Sequence, residues 1–281
     1  GIVNNGGSIS EGQSGVTVTQ AMLEYTDNDH TPAQITYTVK AVDNGLLRKN
    51  GVILGLNNTF TQADINNGLI TYSHNSSETS FGGFDFDVSD GTTGATGQTF
   101  AFTVTPVNDA PVVGVNTGTT LNEGASVTLT TSMLDTSDSD TADASLTYTV
   151  TSIPVNGTLY RNGVALAAND TFTQTDLIAG LISYTHNGGE SVSDDFDFGV
   201  SDGALSVNGN TFDLTITPQN DSAALATNTG MTMNEGATKV ITSAMLSATD
   251  IDDADSTLTY TVSNLSNGVI QVSGSDALTF T

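Results

Sequence analysis

The chain has 281 residues and a formal net charge of −26, from 31 Asp and Glu against 5 Lys and Arg. Neutralising phosphates needs Lys and Arg, so nucleic acid is not expected as a partner, whereas divalent cations complement so acidic a surface. The lack of cysteine excludes a disulfide framework and a thiolate metal site, and no stretch approaches the roughly 18–20 apolar residues needed to cross a bilayer.

In chain order, SEG at 10–12 places Glu11 ahead of TQAML (19–23), which has the composition of one helical turn capped by Thr. Asp27 and Asp29 form a D-x-D, and Ile35, Tyr37 and Val39 then alternate with polar residues. FTQAD (60–64) and YSHN (72–75) come next, and Phe84, Phe86 and Val88 lead into VSDG, which contains Asp90. Phe100, Phe102 and Val104 alternate again before PVNDAPV (106–112). Strict alternation over five residues predicts half-buried strands with Thr, Ser and Asp facing water.

The same series then recurs. FTQTD (172–176), YTHN (184–187) and FDFGVSDG (196–203) each follow their first occurrence by 112 residues, as NEG at 234–236 follows NEG at 122–124. Leu146, Tyr148, Val150, then Phe196, Phe198, Val200, then Phe212, Leu214, Ile216 repeat the alternating pattern, and PQNDSAA (218–224) repeats the linker. This periodicity predicts three copies, 1–113, 114–225 and 226–281, the last lacking counterparts of the YSHN, FDFDVSDG and PVNDAPV segments. The segment reads as a window of a longer array, with any export signal expected outside it. Many short strands bounded by Gly, Asn and Asp predict an all-β chain of tandem antiparallel β-sandwich domains of Ig-like type, arranged end to end.

Oxygen donors at alternating positions are what Ca²⁺ takes up, typically with 6–8 oxygens, whereas Mg²⁺ demands a tighter octahedron. Asp138 with Asp140, and Asp250 with Asp252, repeat the first D-x-D, while Asn108–Asp109 and Asn220–Asp221 follow the last strand of each full copy. Any one of these Asp residues could serve only as an Asx-turn cap; recurrence of the D-x-D together with a linker Asn-Asp favours a cation.

ATDIDDADSTLTYTV (248–262) resembles the D-x-D segment of cadherins, and VSDG followed by an alternating strand and VNDAP resembles the end of a cadherin repeat. Residues 157–190 and 194–203 are similar, more specifically, to cadherin-like repeats of chondroitin-sulfate-proteoglycan type, which also occur in giant bacterial surface proteins. The resemblance implies calcium between consecutive domains. Glu11, Asn108, Asp109, Asp138, Asp140 and Asp202 would serve the first joint, and Glu123, Asn220, Asp221, Asp250 and Asp252 the second. Asp27, Asp29 and Asp90 would face a preceding domain. Pro106 and Pro218 stand where the cadherin linker motif opens with Asp, and Glu78 and Glu190 match the mid-domain acidic motif only loosely. One or two ions per joint are therefore implied rather than three.

His74 and His186 occupy equivalent positions beside a core Tyr and read as structural histidines; His30 has no repeated partner and is expected to be exposed beside Asp29. No nucleophile elbow, His-x-x-x-His spacing or phosphate-cradling loop is present, so no enzymatic activity is expected. The combined reading is a calcium-stiffened spacer of a large bacterial surface adhesin, extracellular, with neighbouring repeats of the same chain as partners. The alternatives are a subunit of a surface filament or layer built from other copies of the chain, or an adhesin module binding host or surface glycans or a partner protein, for which Tyr160 is the one candidate platform residue.

Overall fold

The structure is a computed structural model that describes residues 1–281. It contains two compact units, one of Gly1–Ala110 with Asp138–Ala142 and the other of Pro111–Ser137 with Asp143–Thr281.

Copy one contributes β1 (Ile2–Asn4), β2 (Gly7–Ser10), β3 (Val16–Thr17), β4 (Leu23–Tyr25), β5 (Thr36–Asp43) and β6 (Gly45–Lys49). After them come β7 (Val52–Ile53), β8 (Thr59–Thr61), the short helix α1 (Gln62–Asn66), β9 (Ile70–His74), β10 (Phe81–Ser89) and β11 (Gly94–Thr105). One sheet has the order β2-β11-β10-β5-β8 and the other β3-β9-β6-β7, with β1 paired to β4. Copy two repeats the five-stranded order with Thr119–Asn122, Ser206–Thr217, Ser193–Ser201, Thr147–Ser152 and Thr171–Thr173. All pairs in copy one are antiparallel except β2 with β11, and copy two has the same single parallel pair. These partners come from opposite ends of a copy. No hairpin fixes their relative direction, and a parallel pair needs just such a long connection.

Every alternating apolar residue named from the sequence is buried in one of two cores. Aromatic stacking organises both: Tyr37 on Phe60 at 4.9 Å in copy one and Tyr148 on Phe172 at 4.7 Å in copy two. The phenol of each Tyr still needs a partner once buried. Tyr37 donates to Gln62 Oε1 at 2.5 Å and Tyr148 to Gln174 Oε1 at 2.5 Å, so a buried amide at the start of a short helix completes each core.

That helix is an element the sequence pattern does not predict. Thr61 accepts from the Asp64 N–H at 3.2 Å while Asp64 Oδ2 accepts from the Thr61 N–H at 2.7 Å, a reciprocal capping box, and Thr173 with Asp176 does the same. TQAML forms a single hydrogen-bonded turn, with the N–H groups of Met22 and Leu23 both donating to the Thr19 carbonyl. After Ile216 no residue is buried; the strands there form isolated two-stranded pairs.

Gly157 lies where a Cβ would stand 2.4 Å from the Tyr184 ring and 2.5 Å from the Thr185 carbonyl oxygen. Gly157→Ala is expected to destabilise copy two by about 1–3 kcal/mol through overpacking. Urea denaturation followed by Tyr fluorescence measures it.

Candidate metal centre

In the first unit, β2 runs into the turn that carries Glu11, and β11 runs alongside into the linker. The Glu11 N–H donates to the Thr105 carbonyl at 2.9 Å, and the Val107 N–H donates back to Glu11 Oε2 at 3.2 Å. The parallel pairing of β2 with β11 therefore delivers Glu11 and Asn108–Asp109 to one pole of the sandwich. Glu78, on the loop between β9 and β10, joins them: Glu11, Glu78 and Asp109 hold carboxylate oxygens within 4.8 Å of one another.

The D-x-D of copy two closes this group. Asp140 Oδ2 accepts the Asp109 N–H at 2.7 Å, and the Ser139 hydroxyl donates to Asp109 Oδ2 at 3.2 Å. Asp138 Oδ1 accepts the N–H groups of Asp140 and Thr141 at 2.9 and 2.8 Å. Asn108 Nδ2 donates to the Asp109 carbonyl at 2.7 Å, stiffening the linker.

The second unit repeats the arrangement. Glu123, Glu190 and Asp221 converge within 4.8 Å, Asp252 Oδ2 accepts the Asp221 N–H at 2.5 Å, and Asp250 Oδ1 accepts the Asp252 N–H at 2.9 Å. Asn220 Nδ2 caps the Asp221 carbonyl at 2.7 Å. Of the candidates named from the sequence, Glu11, Asn108, Asp109, Asp138 and Asp140 gather in the first cluster, and Glu123, Asn220, Asp221, Asp250 and Asp252 in the second. Asp202 belongs to the second unit, where its Oδ1 accepts the N–H groups of Ala204 and Leu205. Glu78 and Glu190 belong to the clusters as fully as Glu11 and Glu123 do. The only sign of them in the sequence is their loose match to an acidic motif.

A third group comprises Asp27, His30 and Asp90 in the first unit. His30 is half-buried rather than free beside Asp29: its Nδ1 lies 3.0 Å from Asp27 Oδ1 and 4.0 Å from Asp90 Oδ2. Asp29 donates its N–H to the same Asp27 oxygen at 2.9 Å, while Asp90 is tied down by the backbone and hydroxyl groups of Thr92 and Thr93.

Three features of these clusters bear on whether they fit a cation. Glu11 Oε1, Glu123 Oε1 and Asp138 Oδ2 are shielded from solvent without a hydrogen-bond partner, and such an oxygen is costly to leave unpaired. The basic side chains that form ion pairs are engaged elsewhere, Lys40 with Asp87, Lys49 with Asp64 and Arg161 with Asp176. Crowding also distorts the titration. The Asp140 carboxylate at hydrogen-bond distance, followed by desolvation and Glu11, pushes Glu78 up to about 7. Desolvation, with the charges of Asp252 and Glu123, raises Glu190. An all-oxygen donor set of this kind fits Ca²⁺.

Sheet topology and the two acidic poles define a tandem cadherin-like β-sandwich protein. A family model described as Cadherin-like matches residues 2–104, 111–216 and 224–281, and the chain belongs to that family. It is 34% identical over 273 residues to extracellular matrix organizing protein FRAS1 of Mus musculus, covering 92% of this chain and 7% of that protein. It is 35% identical over 161 residues to chondroitin sulfate proteoglycan 4 of Rattus norvegicus, covering 56% of this chain and 7% of that protein. The chain thus spans less than about a tenth of the length of these relatives. Human CDH23 EC21-23 superposes with a TM-score of 0.50 at 15% identity, over 93% of this chain and 88% of that one, a likeness of fold. The segment is an extracellular cadherin-like repeat region.

The titration has a definite sign. Glu78 rises from an ordinary 4.5 to about 7, so its folded form holds the proton more tightly than the unfolded chain. That stabilisation is complete below about 4.5 and is lost as pH climbs towards 7. His30, raised by its hydrogen bond to Asp27, adds a loss in the same direction above 6.5. Asp27, Asp64, Asp87 and Asp90 are lowered from 3.8, so their contribution disappears as pH falls below that value. In EDTA the melting temperature is therefore expected to peak near about pH 4–5 and to decline towards neutrality. A calorimetric pH series in EDTA checks this.

Proposed function

We propose that this chain is a calcium-stiffened spacer within a large extracellular surface protein, with 1–113, 114–225 and 226–281 as successive repeats. The reading is carried by the buried, unpartnered carboxylate oxygens of Glu11, Asp138 and Glu123 at poles that no Lys or Arg neutralises. Glu11, Glu78, Asp109, Asp138 and Asp140 would hold one ion group, and Glu123, Glu190, Asp221, Asp250 and Asp252 the other. Asp27 and Asp90, with His30 beside them, would offer oxygens to a cation shared with a preceding repeat.

Bound calcium would supply the positive charge that lets these carboxylates stay ionised together. The protein's part is positional. Backbone N–H groups turn Asp109, Asp138 and Asp140 towards one another, and Pro106 and Pro111 limit the freedom of the linker between them. Binding restricted to the folded state stabilises it by mass action, so the segment would be looser in calcium-poor cytosol than outside the cell. A bacterial adhesin is the setting favoured by the absence of cysteine from an exported array; the similar FRAS1 and chondroitin sulfate proteoglycan 4 sequences come from animals.

Adhesion through an aromatic glycan platform finds little support, because Tyr160 is half-buried and Phe81 is the one Phe or Tyr among the strongly exposed large hydrophobic residues. A role without catalysis agrees with the exposure of Glu78, Asp109, Glu190 and Asp221, none of which sits in an apolar pocket.

Adding millimolar Ca²⁺ to EDTA-treated protein is expected to raise its melting temperature and make the 106–111 linker resistant to limited proteolysis. Asp138→Ala with Asp140→Ala should remove linker protection while the unfolding of each core remains cooperative. If melting, cleavage and dimensions in solution scattering all ignore calcium, the spacer reading fails.

A further inference from the structure

The two pole glutamates of each cluster sit on loops far apart in the chain, and in both copies one buried imidazole joins those loops. His74 ends β9 and is 5% exposed. Its Nδ1 accepts the N–H of Gly12 at 3.3 Å, across 62 residues of sequence, and its Nε2 lies 3.1 Å from the Thr79 hydroxyl. Gly12 directly follows Glu11, and Thr79 directly follows Glu78.

His186, 2% exposed, does the same in copy two. Its Nδ1 accepts the N–H groups of Gly124 and Gly188 at 3.2 and 3.3 Å, and its Nε2 lies 2.8 Å from the Ser191 hydroxyl. Gly124 follows Glu123, and Ser191 follows Glu190. A backbone N–H can only donate, so Nδ1 must be the unprotonated acceptor in both rings. In the neutral ring Nε2 then carries the hydrogen and donates it to the hydroxyl.

We propose that His74 and His186 are positioning residues for the acidic clusters: each neutral imidazole clamps the Glu11 or Glu123 turn to the Glu78 or Glu190 loop and so fixes the separation of the two carboxylates. The inference rests on the cation reading of these poles. It assigns the histidines a task that a residue merely filling the core would not have. The ring uses both nitrogens on the residues next to the ligands, and it does so with matching geometry in two copies. Leaving the clamp intact while the ion departs would also hold the glutamates in place against their repulsion, so the metal-free site would stay preformed.

The test titrates Ca²⁺ calorimetrically into the full chain and into three paired variants, with melting in EDTA as a separate measure of folding. His74→Leu with His186→Leu removes every hydrogen bond of both rings, and calcium affinity should fall by roughly 10–100-fold, the usual effect of losing an outer-shell partner. His74→Gln with His186→Gln offers an amide oxygen to accept and an amide N–H to donate, and should recover most of that loss. Thr79→Val with Ser191→Ala removes the Nε2 partner from half-buried positions, and in copy one also the 3.2 Å contact of the Thr79 hydroxyl with Ser77 Oγ, so it tests the clamp even if the Leu pair does not fold; a severalfold weakening with little change in EDTA melting is expected. Wild-type protein that takes up no calcium overturns the cation reading itself, and the clamp with it. Wild-type protein that binds calcium, with the Thr79/Ser191 variant and any folded Leu variant matching it, overturns the clamp alone.

Discussion

Carboxylates forced together by strand geometry are the constraint on which the rest of this structure depends. The parallel pairing of β2 with β11 brings Glu11 against the linker, and backbone hydrogen bonds leave the turn no freedom to swing away. Like charges inside 4.8 Å cost free energy unless a proton or a cation intervenes, and the upward displacement of Glu78 records the first of these remedies. A flexible surface would relieve the repulsion by moving. Here the loops spring from a core closed by stacked Tyr and Phe rings, and they stay in place.

The alternating runs are legible because strand period and burial coincide: Phe84, Phe86 and Val88, or Phe212, Leu214 and Ile216, all face inward as their spacing requires. The acidic sets are legible because they recur at a constant spacing. Glu78 and Glu190 are not, since their loops match a ligand motif only loosely, and only the fold brings those loops back to the start of the copy. The short helices are hidden because FTQAD offers five residues and no period; Thr61 and Asp64 define the helix through capping alone. His30 reads as exposed in the sequence because its environment depends on Asp90, more than half a copy away along the chain.

The copies also diverge where packing allows two answers to one problem. Tyr184 donates to Asp194 Oδ2 at 2.7 Å, and that buried carboxylate also accepts the N–H groups of Val155 and Asn156. Copy one has Gly82 at the equivalent position, where a Cβ would stand 2.3 Å from the Tyr72 oxygen, and Tyr72 donates instead to the Asp43 carbonyl at 2.5 Å. A charged and a neutral acceptor thus satisfy the same buried phenol, and the sheet register around each is almost unchanged.

Residues Asp138–Ala142 belong by sequence to the second copy yet fold with the first. The 112-residue period drawn from linker to linker is therefore offset from the body that folds. Gain or loss of whole 112-residue modules in such an array leaves every interior cluster complete, because each borrows the same loop from the module after it. Array length can drift over generations without any cluster having to be rebuilt.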